Sequence, residues 1–156
     1  METVQLLANI PLFQELDGAA LRQLDKVATK VTLSAGARVF SEGTPGDSLF
    51  VISYGTVQVL KRNGSGTDEE IARMGSGGAF GEMALIDTDP RSATVCAVEH
   101  TELFQIKRAD LDNLLDQDPT LGFHIYKTFA RYLCGRLRRT SSDLTFMREV
   151  ARRGRD

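Results

Sequence analysis

The chain has 156 residues with a formal net charge of −2, and 42% of its residues are hydrophobic. That size and composition favour a single globular unit, so residues 1–156 are predicted to form one domain. No apolar run is long enough to cross a membrane, and the N-terminus lacks the basic start and long apolar stretch of a signal peptide. We therefore predict a cytoplasmic protein without membrane insertion, with Cys96 and Cys134 as reduced thiols.

Residues 1–29 predict two N-terminal helices. The first is short and runs from about Thr3 to Ala8. Asp17 is a typical N-cap residue, and apolar residues follow it at helical spacing. The predicted inward face of this second helix consists of Leu21, Leu24, Val27 and Ala28.

Residues 30–107 consist of short β segments separated by glycines. The segment TVQVL alternates apolar and polar residues, as a half-buried strand does. Many short strands at regular spacing predict an antiparallel β-roll that is similar to a jelly roll. NGSG at residues 63–66 predicts an exposed hairpin tip. The predicted strands are VTL, ARVF, SLFVIS, TVQVLKR, EEIARM, ATVCAV and ELFQIK.

Helices return over residues 108–150, so the predicted fold class is mainly β with flanking helices. Asp110 is predicted to cap a short helix, and Asp118 followed by Pro119 is predicted to begin a long one. Two adjoining apolar stripes predict that this last helix is amphipathic and about seven turns long. Gly135 within it predicts a bend or a close contact. The second stripe consists of Phe123, Ala130, Leu133, Leu137 and Leu144.

The stretch that carries chemistry is residues 77–95. Its glycines let backbone N–H groups converge, and a helical turn at residues 82–85 would direct free N–H groups at an anion. Arg91 lies nine residues after Glu82, and its planar guanidinium suits phosphate oxygens. Ser92 adds a hydroxyl donor. A carboxylate beside an anion needs neutral donors such as a ribose hydroxyl, so Glu82 and Arg91 together predict a sugar-phosphate site.

This stretch closely resembles the phosphate-binding cassette of the cyclic-nucleotide-binding domain family. The family pattern is F-G-E-(L/M)-A-L, a variable gap and then P-R-(A/S/T)-A-(T/S)-V, and the chain fits it at every fixed position. The resemblance extends upstream through EG-x(2)-GD-x-LFVI-x(2)-G-x-V-x-V, from Glu42 to Val59. It implies a stand-alone member of the family to which catabolite activator protein and the regulatory subunit of protein kinase A belong. The β-roll would then span 30–107, with the cassette at 77–95.

The resemblance also implies roles for individual residues. Glu82 would hold the ribose 2′-hydroxyl and Arg91 would pair with the cyclic phosphate. Backbone N–H groups of the cassette would help to cradle the phosphate, and Ser92 would bond to phosphate or purine. Val57 or Val59 would line the base side of the pocket. The backbone N–H groups that would cradle the phosphate are those of Gly81, Glu82 and Ala84. The residues predicted to bind the ligand are Phe80, Gly81, Glu82, Met83, Ala84, Arg91, Ser92, Ala93, Tyr132 and Arg136.

The last helix is a lid over the purine in the family. Counted from Arg91 and Pro119, Tyr132 and Arg136 are the residues that would face the base, with Arg131 as a weaker candidate. Tyr132 also lies on the first apolar stripe, with Leu121, Ile125 and Phe129, so packing in a core or a dimer seam is its alternative role. Because an aromatic ring can stack on a purine, this helix would respond to the ligand.

The predicted function is a cyclic-nucleotide sensor that passes ligand binding to a partner through movement of its C-terminal helix. We predict cAMP rather than cGMP as the ligand, because Ser92 stands where many cGMP-selective relatives carry threonine. No cofactor beyond this ligand is predicted. The second apolar stripe predicts a homodimer through the last helix, and the sequence names no effector protein.

Three other interpretations concern the rest of the chain. His100 and His124 have no carboxylate–histidine cluster around them, so we predict no metal site and no enzyme. Only twelve residues follow Leu144, too few for a helix-turn-helix, so a truncated transcription regulator would lack specific DNA binding. Residues 131–156 contain eight arginines and three acidic residues, either as a solvated helix face or as a nonspecific phosphate contact. A fold-only interaction module that binds no nucleotide is the remaining alternative.

Overall fold

The computed structural model describes residues 2–155, so Met1 and Asp156 of the predicted domain lie outside the described residues. The N-terminal part comprises α1 (Glu2–Ala8), a 3₁₀-helix (Pro11–Phe13) and α2 (Gly18–Val27). The strands are β1 (Ala28–Leu33), β2 (Arg38–Phe40), β3 (Ser48–Tyr54), β4 (Val57–Arg62), β5 (Asp68–Met74), β6 (Ala79–Phe80), β7 (Thr94–Ala97) and β8 (Thr101–Lys107). A second 3₁₀-helix (Glu82–Leu85) lies between β6 and β7, and the C-terminal part comprises α3 (Arg108–Gln117) and α4 (Pro119–Arg153).

The strands form two four-stranded sheets, with the orders β1-β8-β3-β6 and β2-β7-β4-β5. Every strand pairing within them is antiparallel. This confirms the predicted β-roll, with helices before and after it along the chain. All seven predicted segments contain a strand. The sequence missed β6, because two residues are too few to show an alternating pattern.

The central strand β3 is buried on both faces because it lies between two apolar cores. Leu49 and Val51 face the core that the N-terminal and C-terminal helices share. Phe50 and Ile52, on the opposite face, contribute to the core between the two sheets. The run SLFVIS is therefore almost continuously apolar, whereas the outer strand β5 is exposed along most of its length.

Two of the three predicted helix caps are confirmed. Asp17 accepts a hydrogen bond from the N–H of Ala20 at 2.8 Å, and Asp118 accepts one from the N–H of Leu121 at 3.1 Å. The cap predicted at Asp110 is wrong, because β8 runs directly into α3 at Arg108. Asp110 lies in the first turn of that helix, where a carboxylate still interacts favourably with the helix dipole.

Helix α4 has 35 residues, which correspond to about ten turns. It is therefore longer than the predicted helix of about seven turns. Its buried residues all lie in its first third: Leu121, Gly122, Ile125, Thr128 and Phe129. Every residue from Arg136 to Arg153 is exposed. The close contact predicted at Gly135 is absent within residues 2–155, since a Cβ atom there would meet nothing within 4 Å.

We expect Phe129→Ala to lower the free energy of unfolding by about 3–5 kcal/mol, because the ring is 1% exposed and leaves a cavity when removed. Its centroid lies 6.0 Å from that of Phe13, so the substitution also removes an aromatic contact between α4 and the N-terminal part. Urea denaturation measures the loss. The control is Phe146→Ala on the same helix, which is 65% exposed and should change stability by less than about 0.5 kcal/mol. Equal midpoints for the two variants would contradict the packing described above.

Candidate functional site

A pocket of about 550 Å³ opens where the cassette faces the middle of α4. The 3₁₀-helix at Glu82–Leu85 and the loop that follows it form one side, and residues of β2, β4 and β5 form another. All ten residues predicted to bind a ligand line this pocket: Phe80, Gly81, Glu82, Met83, Ala84, Arg91, Ser92, Ala93, Tyr132 and Arg136. The chain therefore brings together residues that are separated by up to 56 positions in the sequence, Phe80 and Arg136.

Arg91 is a buried cation whose partners in the protein are neutral. Its side chain is 8% exposed, and its Nη2 and Nη1 atoms donate to the carbonyl oxygens of Ser48 at 2.8 Å and Gly81 at 3.3 Å. The guanidinium carbon lies 4.0 Å from the centroid of the Phe40 ring, a cation–π contact. Burial lowers the pKa of the Arg91 guanidinium, and the charge of Asp47 opposes that shift.

The Nε atom of Arg91 is buried and has no hydrogen-bond partner among residues 2–155. No carboxylate in this part of the chain lies within salt-bridge distance of the guanidinium. A buried polar group normally finds a partner, because leaving it unpaired costs about 1–3 kcal/mol. The guanidinium of Arg91 thus lines the pocket with no carboxylate in salt-bridge contact and with one N–H donor unpaired among the described residues.

Two glycines make room for the Arg91 side chain. A Cβ atom on Gly46 would lie 2.6 Å from Nε of Arg91, and one on Gly81 would lie 2.7 Å from Nη1. Gly81 also has a φ angle of 78°, a conformation that side chains disfavour. The second glycine of EG-x(2)-GD, Gly46, and the glycine of F-G-E, Gly81, therefore have a packing reason that the sequence alone did not show.

Glu82 begins the second 3₁₀-helix and is 8% exposed. Its carboxylate accepts a hydrogen bond from Nη1 of Arg136, which lies on α4. Arg136 therefore lines the pocket, as predicted. Its side chain bonds to the Glu82 carboxylate, whereas the sequence predicted that it would face the base. This ion pair joins the cassette directly to the C-terminal helix.

The N–H group of Ala84, predicted to be free for an anion, donates to the carbonyl oxygen of Gly81 at 3.2 Å. It is engaged because the chain closes its first 3₁₀ turn at this residue. Tyr132 lines the pocket and its ring centroid lies 5.9 Å from the guanidinium carbon of Arg136. Arg131 does not line the pocket, since it forms an ion pair with Glu15 at 2.6 Å.

Sequence reasoning missed several members of the site. Of the two valines considered for the base side, Val59 lines the pocket, whereas Val57 is buried between the sheets. Phe40 and Met74 complete the apolar wall, and they come from strands far from the cassette in sequence. Only the three-dimensional pairing of β2, β4 and β5 brings these side chains to the pocket, so no local signal could have identified them.

An exposed ion pair supports the loop that carries Ser92. Lys61 at the end of β4 donates to the carbonyl oxygen of Ser92 and lies 2.9 Å from Oε1 of Glu42. The hydrogen bonds that Glu42 accepts from the Lys61 side chain and the Arg62 N–H lower the pKa of its carboxyl group. The Glu42 carboxylate therefore stays ionised at neutral pH, and the contacts of Lys61 tie this loop to the β4–β5 hairpin.

Residues 30–118 match the family described as "Cyclic nucleotide-binding domain". A cyclic nucleotide-gated potassium channel of Rhizobium etli is 38% identical over 124 residues, which are 80% of this chain and 33% of the channel. The match spans about a third of the channel's length. The chain belongs to the cyclic nucleotide-binding domain family.

Solved structures agree with this assignment. Catabolite activator protein of Thermus thermophilus superposes with a TM-score of 0.76 at 30% identity, over 88% of this chain and 62% of that one. The regulatory domain of Toxoplasma gondii protein kinase A, crystallised with cAMP, superposes with a TM-score of 0.68 at 26% identity, over 72% and 43% of the two chains. Within residues 2–155, no helix is long and apolar enough to span a membrane.

We expect Gly46→Ala to displace the Arg91 side chain and to weaken binding of a cyclic nucleotide about tenfold, since a charge-assisted hydrogen bond is typically worth that much. The physical reason is the 2.6 Å approach of the new Cβ atom to Nε. Titration calorimetry with cAMP measures the change. Gly64→Ala is the matched control, because a Cβ there would meet nothing within 4 Å. Unchanged affinity in Gly46→Ala would show that the position of Arg91 does not matter to the ligand.

Proposed function

We propose that this domain binds a cyclic nucleotide, cAMP in preference to cGMP, and passes the binding signal to its C-terminal helix. The observation that carries the proposal is the buried Arg91 guanidinium, which has neutral partners and an unpaired Nε beside the carboxylate of Glu82 in one pocket. A cyclic phosphate would supply the missing negative charge and acceptor atoms. A ribose hydroxyl would donate to the carboxylate.

The apolar part of the pocket accounts for the base. Phe40, Val59, Met74 and Phe80 provide wall area beside the charged pair, and Tyr132 provides an aromatic face on α4. A ligand with an anionic end, a hydroxyl group and a flat ring system matches these three surfaces in turn. The preference for cAMP rests on Ser92 alone, where many cGMP-selective relatives carry threonine.

The relatives support the same ligand class. The channel of Rhizobium etli is gated by cyclic nucleotides, and the kinase regulatory domain of Toxoplasma gondii was crystallised with cAMP. A regulator of Mycobacterium tuberculosis, 29% identical over 140 residues, is described as cAMP-activated. These properties belong to those proteins, and we extend them to this chain because it keeps a glutamate and an arginine in one pocket.

The route of the signal follows from the bond between Glu82 and Arg136. A ligand hydroxyl that binds the Glu82 carboxylate changes the environment of the side chain on α4 that already contacts it. The ligand therefore shifts the equilibrium between two positions of α4, by the difference in its affinity for them. We propose no catalytic step, and the cytoplasmic location and lack of specific DNA binding stay predictions.

We expect cAMP to raise the melting temperature of the wild-type protein, cGMP to raise it less, and linear AMP to have little effect, because a ligand stabilises the state that it binds. Arg91→Ala should abolish the cAMP response, and Arg91→Lys should leave only part of it, since an ammonium group lacks the planar fork. Differential scanning fluorimetry measures all five cases. Arg73→Ala, which removes an exposed arginine of β5 that does not line the pocket, is the control for charge removal. A full cAMP response in Arg91→Ala would refute the phosphate assignment.

A homodimer through α4 is the second part of the proposal. Beyond Arg136 the helix is exposed, yet its apolar residues repeat with the heptad spacing of a two-stranded coiled coil. The a positions are Phe123, Ala130, Leu137, Leu144 and Ala151, and the d positions are Tyr126, Leu133, Thr140 and Met147. Phe123, Leu137, Leu144 and Met147 are 61%, 67%, 51% and 67% exposed, so this stripe would be covered by a second copy of the chain.

The charges beside the stripe favour a parallel, in-register arrangement. Asp143 lies at a g position, and Arg148 lies at the e position of the next heptad. In a parallel dimer the g residue of one helix faces the following e residue of the other, so Asp143 and Arg148 would form two equivalent ion pairs across the seam. An antiparallel arrangement would not bring this pair together.

We expect the wild-type protein to sediment as a dimer and Leu137→Glu to sediment as a monomer, because the substitution buries a charge in the seam. Asp143→Arg should weaken dimerisation about fivefold, and adding Arg148→Asp should restore it, since each ion pair contributes a few tenths of a kcal/mol. Sedimentation equilibrium measures the constants, with Phe146→Glu as the control at an exposed position outside the stripe. A wild-type monomer at high concentration, or no recovery in the double variant, would refute the parallel dimer.

A further inference from the structure

Arg108 makes contacts that neither the motif nor the family resemblance assigns. It is the first residue of α3, and its Nη1 atom donates to the carbonyl oxygens of Gly46 at 3.1 Å, Ala84 at 2.9 Å and Asp87 at 3.0 Å. Its backbone N–H donates to the carbonyl oxygen of Asp47 at 2.7 Å. One residue at the start of a helix is therefore bonded to two separate loops of the site.

The three carbonyl oxygens need a cation where they converge. Ala84 and Asp87 belong to the C-terminal end of the second 3₁₀-helix and the turn after it, where helical carbonyl groups lack partners within the helix. The negative end of the peptide dipoles also lies there. A guanidinium nitrogen both donates to these oxygens and offsets their partial charge, which a neutral side chain does less well.

One of the two loops that Arg108 joins follows directly on Glu82, and the other lies against the Arg91 side chain. The 3₁₀-helix that ends near Ala84 begins at Glu82. Gly46 is the residue over which the Arg91 side chain passes, with Nε 2.6 Å from where its Cβ would be. Fixing these loops to each other therefore fixes the spacing of the Glu82 carboxylate and the Arg91 guanidinium.

We propose that Arg108 is a positioning residue that holds the phosphate-binding loop and links it to α3, an inference that rests on the proposed nucleotide function. The link matters because α3 packs against α4 and shares its core with the start of that helix. A displacement of the loop at Ala84 and Asp87 reaches α3 through Arg108. The pocket then has two connections to the C-terminal helices, one through Arg136 to the middle of α4 and one through Arg108 to the start of α3.

The test compares Arg108→Gln with Arg108→Lys in the full chain. Glutamine keeps N–H donors but loses the charge, and we expect it to weaken cAMP binding about tenfold or more in titration calorimetry. Lysine keeps the charge and offers three N–H donors to three carbonyl groups, so its affinity should stay within about threefold of wild type. Lys107→Gln, the exposed neighbour, is the control and should bind like wild type.

Hydrogen exchange followed by mass spectrometry separates positioning from general stabilisation. In Arg108→Gln without ligand we expect faster exchange in residues 82–87, with unchanged protection in β3 and β8. Wild-type affinity together with unchanged exchange in residues 82–87 overturns the proposal, and so does uniform loss of protection with wild-type affinity. If the glutamine variant does not fold, the affinity of the lysine variant tests the proposal. A tenfold loss of affinity in Arg108→Lys would overturn it, because lysine keeps the charge that the proposal requires.

Failure of the proposed function gives a different result. If the wild-type protein binds neither cAMP nor cGMP, the nucleotide proposal is wrong, and the exchange measurement still tests whether Arg108 holds this loop. Local acceleration in residues 82–87 then supports the positioning role alone. Unchanged exchange in residues 82–87 overturns the positioning role.

Discussion

The buried guanidinium of Arg91 is the constraint on which the rest of the site depends. Removing a cation from water is costly unless other groups replace its hydration. Here the face of Phe40 and the carbonyl oxygens of Ser48 and Gly81 do so only in part, because Nε has no partner in the described part of the chain. Neutral partners hold the side chain in place without cancelling its charge, so an anion in the pocket meets a positioned cation.

The Glu82 carboxylate has a complementary role because one carboxylate accepts several hydrogen bonds. Its two oxygens offer about four lone-pair directions, and Arg136 uses only part of them. A hydroxyl donor and the α4 guanidinium can therefore share this carboxylate at the same time. The pocket and the helix are coupled through one side chain, in contrast to a lid that only covers a ligand after it binds.

Local signals in the sequence were enough for the cassette and for most helix boundaries. The caps at Asp17 and Asp118 depend on neighbouring residues only, and so does the turn at Glu82. The contacts of Phe40 and Arg108 could not be predicted, because they join segments up to 62 residues apart. Asp110 is a residue for which the local signal was misleading. It is a favourable capping residue, but β8 continues directly into α3 at Arg108, so the helix begins before it.

The position of Arg136 connects ligand binding to assembly. In the proposed parallel dimer it occupies a g position, at the edge of the seam, while its guanidinium is bonded to Glu82 in the pocket. A ligand that changes this side chain changes the surroundings of the seam between Leu133 and Leu137. Binding free energies are linked, so a dimer that favours one position of Arg136 must change the ligand affinity by the same factor by which the ligand changes dimerisation.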